Sequence, residues 1–250
     1  MKHRKTVQVC LSPLEELPEV DVWLVVDIIR ASSVVVTFFD EGGQVVVPAE
    51  TLEQARSFRR EAGAGWLLMG ERNAVPPEGF DLGNSPRDLL GGIPRKYEGA
   101  VMTTSNGTRA WLKAFSRGGR VLCAAARNAV AAAKAAVSGC ASTGVLCAGK
   151  DGRAAMDDAV CAGLLVAEFL RQSPDILLDD GAKIALALWE SLGGDLAKGV
   201  RMASHMGMLK RLGMEADVDF CCERDTSRVV PEMSIHRGRP AFFAGKGEGN

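Results

Sequence analysis

The sequence VWLVVDIIR, residues 22–30, decides the predicted fold because it joins an apolar strand to a polar cluster at a helix start. The apolar run over residues 22–26 is typical of a buried strand, and Ala31–Phe39 has helical character. In parallel α/β sheets, ligands bind outside the carboxyl ends of strands, where helix N-termini also point. The polar cluster from Asp27 to Arg30 is therefore a candidate ligand site.

The same pattern, a strand followed by a polar cluster and a helix, recurs around Val101–Thr108 and Leu146–Gly152. Valine-rich runs predict strands at Val7–Leu11, Val22–Val26, Gln44–Val47, Trp66–Met69, Ala100–Met102, Val121–Ala124 and Val145–Ala148. Helices are predicted at Ala31–Phe39, Leu52–Glu61, Arg109–Phe115, Ala129–Val137, Met156–Arg171 and Lys183–Leu192. This alternation predicts an α/β fold with a largely parallel or mixed sheet covered on both faces. The three polar clusters are expected to converge on one rim of it.

The pattern loosens after about Ser173, where Gly193-Gly194 and Lys198-Gly199 predict turns, and residues 245–250 a frayed tail. Because no low-complexity linker divides the chain, we expect a single α/β domain over residues 1–250. Two tightly packed lobes, over about 1–120 and 121–245, are the alternative.

Composition excludes several classes of protein. A net charge of −1 gives no broad basic surface for nucleic acid. No stretch approaches the roughly 20 apolar residues of a membrane span, and no signal-peptide core follows the basic start. Seven cysteines without a C-x-x-C pair, and three histidines, argue against a structural zinc site and favour a reduced compartment. We expect a cytoplasmic protein that binds neither membrane nor nucleic acid.

The loop over residues 70–86 is rich in charge and poor in apolar residues, so it is not there to fill a core. Glu71 and Asp81 suit a hard cation such as Mg²⁺, and Arg72 suits an anion. The alternative is a surface loop with solvated charges, in which Asn84-Ser85-Pro86 starts a helix.

A second loop, Thr104-Ser105-Asn106-Gly107-Thr108, lies between a strand and a helix. Its hydroxyls, its glycine and the exposed N–H groups of a helix start suit a phosphate. An ordinary strand-to-helix turn is the alternative.

Three further acids and a histidine are candidates. Asp27, at a strand end, suits a metal, or else it caps the next helix or pairs with Arg30. Asp157-Asp158 begins a helix, where neighbouring side chains point about 100° apart, so one acid is expected to face the site. His205 is a possible general acid or a helix-start residue.

Three known mechanisms are disfavoured. A haloacid-dehalogenase phosphatase needs a second aspartate where this chain has Ile29. The segment over residues 144–151 nearly spells a Walker A loop, but Asp151 stands where Ser or Thr would hold Mg²⁺. No Gly-x-Ser-x-Gly elbow is present, which disfavours a serine hydrolase.

Taken together and in order, these segments resemble the 2-phosphosulfolactate phosphatase family, also called ComB. The resemblance is carried by residues 27–33, 70–72, 80–86, 104–108, 147–149 and 157–163, and more weakly by 204–205 and 217–221. It departs at Asp157-Asp158, where family members more often carry Glu-Asp, which weakens the case for Asp157 as a direct ligand. Ser32 and Ser33 stand where members tend to have threonines.

The resemblance implies a three-layer α/β fold, a homodimer, and a Mg²⁺-dependent acid phosphatase that converts 2-phospho-3-sulfolactate to sulfolactate and phosphate. That step belongs to coenzyme M synthesis in methanogens and to sulfolactate metabolism in some bacteria. The resulting hypothesis has Asp27, Glu71, Asp81 and Asp158 gather one Mg²⁺, with His205 as proton donor. The substrate would be bound by Arg30, Arg72, Asn84, Ser85, Thr104, Asn106, Gly107 and Thr108.

Within this set, Asn106 to Thr108 would cradle the phosphate, and the two arginines would hold the sulfonate or carboxylate. Competing hypotheses are a metal-dependent lyase or transferase, a phosphatase for another small anionic phosphate ester, and a non-catalytic anion-binding protein on the same scaffold.

Overall fold

A computed structural model describes residues 4–94 and 96–245. Within these ranges ten strands form one sheet, and nine α-helices pack around it. The strands are β1 Thr6–Cys10, β2 Val22–Val26, β3 Val45–Pro48, β4 Trp66–Gly70, β5 Gly99–Thr103, β6 Arg120–Ala124, β7 Ser142–Cys147, β8 Leu177–Leu178, β9 Pro231–His236 and β10 Arg239–Ala244. The helices are α1 Ala31–Asp40, α2 Leu52–Ala62, α3 Gly107–Ser116, α4 Ala129–Val137, α5 Met156–Gln172, α6 Asp180–Ser191, α7 Leu196–Arg201, α8 Met206–Arg211 and α9 Glu215–Cys222.

The sheet order is β4-β5-β3-β10-β9-β6-β2-β7-β1-β8. Strands β4, β5 and β3 are mutually parallel, as are β6, β2, β7, β1 and β8. The antiparallel hairpin β9–β10 joins the two groups, and it leaves them running in opposite senses. Sheets twist by roughly 20–25° per strand, which accumulates to roughly 100–125° over the five steps from β5 to β2. This twist explains how strands of opposite sense can end at one site.

Helices cover both faces of the sheet because its strands alternate between two apolar cores. In β2, Trp23 and Val25 pack with α1 and α3, whereas Val22, Leu24 and Val26 pack with α4 and α5. Strand β2 is therefore buried on both faces, as expected for a central parallel strand. A smaller core joins α2 to β3, β4 and β10.

The α/β fold class is confirmed, and every predicted strand and helix is present within a few residues. The sequence did not predict β8, β9, β10, α7, α8 or α9. The turn predicted at Lys198-Gly199 is wrong, because both residues lie in α7. A Cβ atom on Gly199 would lie 2.7 Å from Val160 of α5, so the glycine allows close helix packing rather than a turn. Of the predicted tail, residues 246–250 lie outside the described residues.

In the described part of the chain, no helix has both the length and the apolar character needed to cross a membrane. All seven cysteines are free thiols.

Candidate active site

The three polar clusters that follow β2, β5 and β7 do converge, and they line one cavity of about 140 Å³ together with the loop after β4 and the starts of α5 and α8. Its lining is dominated by polar side chains. The lining residues are Asp27, Ile29, Arg30, Glu71, Asn73, Ala74, Asn84, Ser105, Asn106, Gly149, Lys150, Asp151, Asp157, Asp158, His205, Met208 and Leu209.

Asp27 follows β2 and is buried, with 8% of its surface exposed. Its N–H donates to Ser32 Oγ at 2.9 Å, and its Oδ1 accepts from the Ala31 N–H at 3.3 Å. Burial, reinforced by the charges of Asp157 and Glu71, raises the pKa of Asp27 to about 7. Without a compensating cation, this carboxyl group therefore titrates near neutral pH.

Asp157 and Asp158 are both buried and both line the cavity, so the prediction that one of them faces the site is wrong. They lie in the first turn of α5, whose N-terminus meets the cavity, and two neighbouring side chains reach it from there. The Asp158 carboxylate accepts the Ile28 N–H at 2.9 Å and the Gly149 N–H at 2.8 Å. Burial, and the charges of Asp157 and Asp27, raise the pKa of Asp158 well above its usual range.

Asp157 faces His205, the residue that precedes α8. The distance from Asp157 Oδ2 to His205 Nε2 is 3.3 Å. Asp157 Oδ1 and His205 Nδ1 are buried without a hydrogen-bond partner among the described residues. Buried polar atoms are normally satisfied, so these two atoms suit a bound ligand or ion.

Glu71 joins the loops after β4 and β5. Its carboxylate accepts the Ser105 N–H at 2.7 Å, the Ser105 hydroxyl at 3.2 Å and the Ala74 N–H at 2.9 Å. Glu71 lines the cavity as predicted, and its hydrogen bonds hold this wall in place.

Two residues predicted for the site, Arg72 and Asp81, do not line it. The Arg72 guanidinium donates to Glu71 O at 2.6 Å, Thr103 Oγ1 at 2.9 Å and Glu50 O at 3.3 Å, which turns it away from the cavity. Asp81 is exposed, and its carboxylate accepts the Leu68 N–H at 2.7 Å along β4. Both residues hold the backbone around β4, which corrects their prediction as anion clamp and metal ligand.

Arg30 lines the cavity, but its charge is already paired. Its Nη1 lies 2.7 Å from Asp217 Oδ2, and its Nη2 donates to Ala74 O at 2.8 Å. The Ser85 hydroxyl donates to Asp217 Oδ1 at 2.7 Å instead of lining the cavity or capping a helix. Neighbouring Asn84 does line it, and Asn84 Oδ1 is buried without a partner among the described residues.

The loop before α3 divides its side chains between structure and site. Thr108 N–H donates to Thr104 Oγ1 at 3.1 Å, and Thr108 Oγ1 donates to Thr104 O at 3.1 Å. These hydroxyls start the helix and do not line the cavity, which corrects their prediction as phosphate contacts. Asn106 does line it, and its Oδ1 accepts the Asp151 N–H at 3.1 Å.

Gly107 was predicted to contact the phosphate. In the structure it allows α3 to approach Asp27 closely. A Cβ atom here would lie 2.7 Å from Asp27 Oδ2 and 2.9 Å from the Ala31 Cβ. We expect Gly107→Ala to displace the Asp27 carboxylate and to lower any turnover by roughly 100-fold, as small misplacements of reacting groups do. Gly83→Ala is the control, because its new Cβ would meet Pro76 Cδ at 3.6 Å, an ordinary contact. Equal rates for both variants would contradict this account of Gly107.

The sequence also missed residues that the structure brings to the site. Lys150, Asp151 and Ser105 line the cavity, and Asp217 fixes Arg30 from behind. Lys150 and Asp151 lie in the rejected Walker-like segment, and their place after a strand was the available signal.

The donor set suits a hard cation. Carboxylates and amides meet at the cavity, and Asp157 Oδ1 and Asn84 Oδ1 are buried oxygens without partners among the described residues. Over residues 4–94 and 96–245, however, no three His, Cys, Asp or Glu side chains are grouped closely enough to hold an ion by themselves. A cation here would therefore rely on one or two carboxylates, with an amide, water or substrate oxygens completing its shell.

The chain is similar to known proteins over most of its length. The family model for 2-phosphosulpholactate phosphatase matches residues 8–235. A "Probable 2-phosphosulfolactate phosphatase" of Deinococcus radiodurans is 38% identical over 90% of this chain and 94% of its own. Proteins given the same name are 38% identical in Thermus thermophilus, over 95% and 98%, and 36% identical in Clostridium beijerinckii, over 84% and 87%. The chain therefore belongs to the 2-phosphosulfolactate phosphatase family.

Proposed function

We propose that this chain hydrolyses 2-phosphosulfolactate to sulfolactate and inorganic phosphate, with Mg²⁺ bound in the cavity. The observation that carries the proposal is the gathering of Asp27, Glu71, Asp157 and Asp158 around one small cavity. Like charges buried together are costly unless a cation or protons offset them. A cluster of carboxyl groups of this kind suits a metal ion that binds a phosphate group.

Mg²⁺ fits these residues because it is usually held by one or two carboxylates, with water and substrate phosphate completing its shell. Asp27, Asp157 and Asn84 are the residues that would hold it, the last two through oxygens without partners. Asp158 and Glu71 accept backbone N–H groups and contribute negative charge. When bound, the metal polarises the phosphoryl group and offsets charge on the leaving oxygen.

The chain's own residues position the phosphate and manage the proton. Asn106 and the N-terminus of α3 lie at the cavity, where helix dipoles favour anions. The oxygen that leaves phosphorus needs a proton, and we propose that His205 donates this proton. Asp157 orients the imidazole through Nε2, which leaves Nδ1 to hold the proton.

A panel of small phosphate esters tests the function. Purified protein with Mg²⁺ is expected to release phosphate from 2-phosphosulfolactate in preference to esters with fewer acid groups. Preference for another ester would favour that substrate. Binding without any phosphate release would favour an anion-binding protein, and loss of the ester without free phosphate would favour a lyase or transferase.

Removal of divalent cations is expected to stop phosphate release, because the carboxylates then repel the phosphate. Dialysis against EDTA followed by Mg²⁺ titration checks this, and Mg²⁺ is expected to restore the rate. Full activity in EDTA would contradict the metal-binding role.

The homodimer and the cytoplasmic location stay predictions. Sedimentation of the purified protein tests the first of them.

A further inference from the structure

The basic side chains that line the cavity differ in how closely an acidic side chain is paired with each of them. Among the described lining residues these are Arg30, Lys150 and His205. Arg30 is buried against Asp217 at 2.7 Å, and His205 faces Asp157 at 3.3 Å. Lys150 Nζ lies 3.8 Å from Asp151 Oδ2, which is longer than a hydrogen bond.

Lys150 is also held in position by its backbone. Its N–H donates to Arg153 O at 2.8 Å, and the Arg153 N–H donates to Lys150 O at 2.9 Å. The Asp151 N–H donates to Asn106 Oδ1 at 3.1 Å, which ties this turn to the start of α3. The Lys150 side chain, 41% exposed, is therefore presented at the cavity by a fixed turn.

The proposed substrate carries a phosphate, a sulfonate and a carboxylate, whereas four buried carboxyl groups line the cavity. Bound Mg²⁺ would offset their charge for the phosphate alone, so the other acid groups need a separate cation. Arg72 points away from the cavity, and Arg30 is neutralised by Asp217.

We propose that the Lys150 ammonium binds an acid group of the substrate other than the phosphate and thereby selects phosphate esters that carry one. The proposal rests on the proposed function, since it concerns the substrate of that same site. A lysine ammonium acts as a point charge and donates hydrogen bonds to a sulfonate or to a carboxylate.

Product inhibition tests the proposal, because sulfolactate carries both acid groups and no phosphate. In Lys150→Met the inhibition constant of sulfolactate is expected to rise roughly 10- to 100-fold, the range expected for a charge-assisted hydrogen bond. The inhibition constant of inorganic phosphate is expected to stay unchanged. Lactate, which lacks the sulfonate, separates the two groups: weaker inhibition by lactate too assigns the carboxylate, and an effect on sulfolactate alone assigns the sulfonate.

Two further variants are controls. Lys150→Arg keeps the charge and is expected to restore inhibition by sulfolactate. Arg153→Met removes the same charge from the same turn, outside the cavity lining, and is expected to change neither constant. An unchanged constant for sulfolactate in Lys150→Met, or an equal rise for phosphate, would overturn the proposal. A wild type that releases no phosphate from 2-phosphosulfolactate would contradict the proposed function instead.

Discussion

Replacing Asp27 by asparagine is expected to lower phosphate release by roughly 10²- to 10⁴-fold while the fold stays intact, because a bound metal supplies several kcal/mol of charge stabilisation in the transition state. Asparagine keeps the shape of the side chain and an oxygen to accept the Ala31 N–H. It removes the carboxylate that would hold Mg²⁺. Phosphate release by the purified variant checks the loss of activity, and its circular dichroism checks that the fold is intact.

The same variant is expected to be more stable than the wild type at pH 8 without divalent cations. The pKa of Asp27 rises from 3.8 to about 7, so between these values the folded state binds more protons than the unfolded state. Stability is therefore lost as pH rises through this window, by up to about 4 kcal/mol at 1.36 kcal/mol per unit. Urea unfolding at pH 4 and pH 8 measures the difference.

Asp81→Asn is the matched control for Asp27→Asn, because Asp81 is the predicted metal ligand that the structure places outside the cavity. It is expected to keep its activity. Loss of activity in Asp81→Asn, or an active Asp27→Asn, would contradict the site described above.

Asp217→Ala is expected to cost about 3–5 kcal/mol of unfolding free energy, because it leaves the Arg30 guanidinium buried without its counter-charge. The two side chains are 4% and 7% exposed. The variant also removes the acceptor of the Ser85 hydroxyl, so the loop that carries Asn84 loses this hydrogen bond to α9. Urea unfolding measures the loss in stability.

Helix α9 offers a control for this prediction two residues further on. Asp219 pairs with Arg201, but both side chains are more than half exposed. Surface ion pairs contribute roughly 0–1 kcal/mol, so Asp219→Ala is expected to change stability little. Similar losses in the two variants would show that the Arg30–Asp217 pair is not specially stabilising.

The sequence predicted local structure better than the order of the strands. Strand β2 and the segments like it were recognisable because they are short, apolar and followed by helices. Strands β9 and β10 lie in the middle of the sheet. Polar and apolar residues alternate in Pro231–His236, but a proline begins this strand, and proline inside a run argues against a central strand. Their hairpin turns at Arg237-Gly238, both with positive φ, whereas Asn or Asp is the usual first residue of such a turn.

For the site, the sequence located backbone positions but not side-chain directions. Asp27 and Asp158 follow parallel strands of one group, β2 and β7, so their approach to one rim followed from fold class. Glu71 and Asn106 follow strands of the other group, which runs in the opposite sense, so the fold class alone did not place them at the same site. Arg72 turns away because its partner Thr103 lies 31 residues on, a contact that local patterning does not reveal.

Asp217 was missed for a related reason. Its partners Arg30 and Ser85 lie 187 and 132 residues earlier in the chain, and only the folded structure brings them together.

The most direct test measures phosphate and sulfolactate together after purified protein is mixed with 2-phosphosulfolactate and Mg²⁺, for the wild type and for Asp27→Asn. We predict equimolar release of both products by the wild type and almost none by the folded variant. No release by the wild type, or equal release by the variant, would contradict hydrolysis of this ester at the acidic cavity.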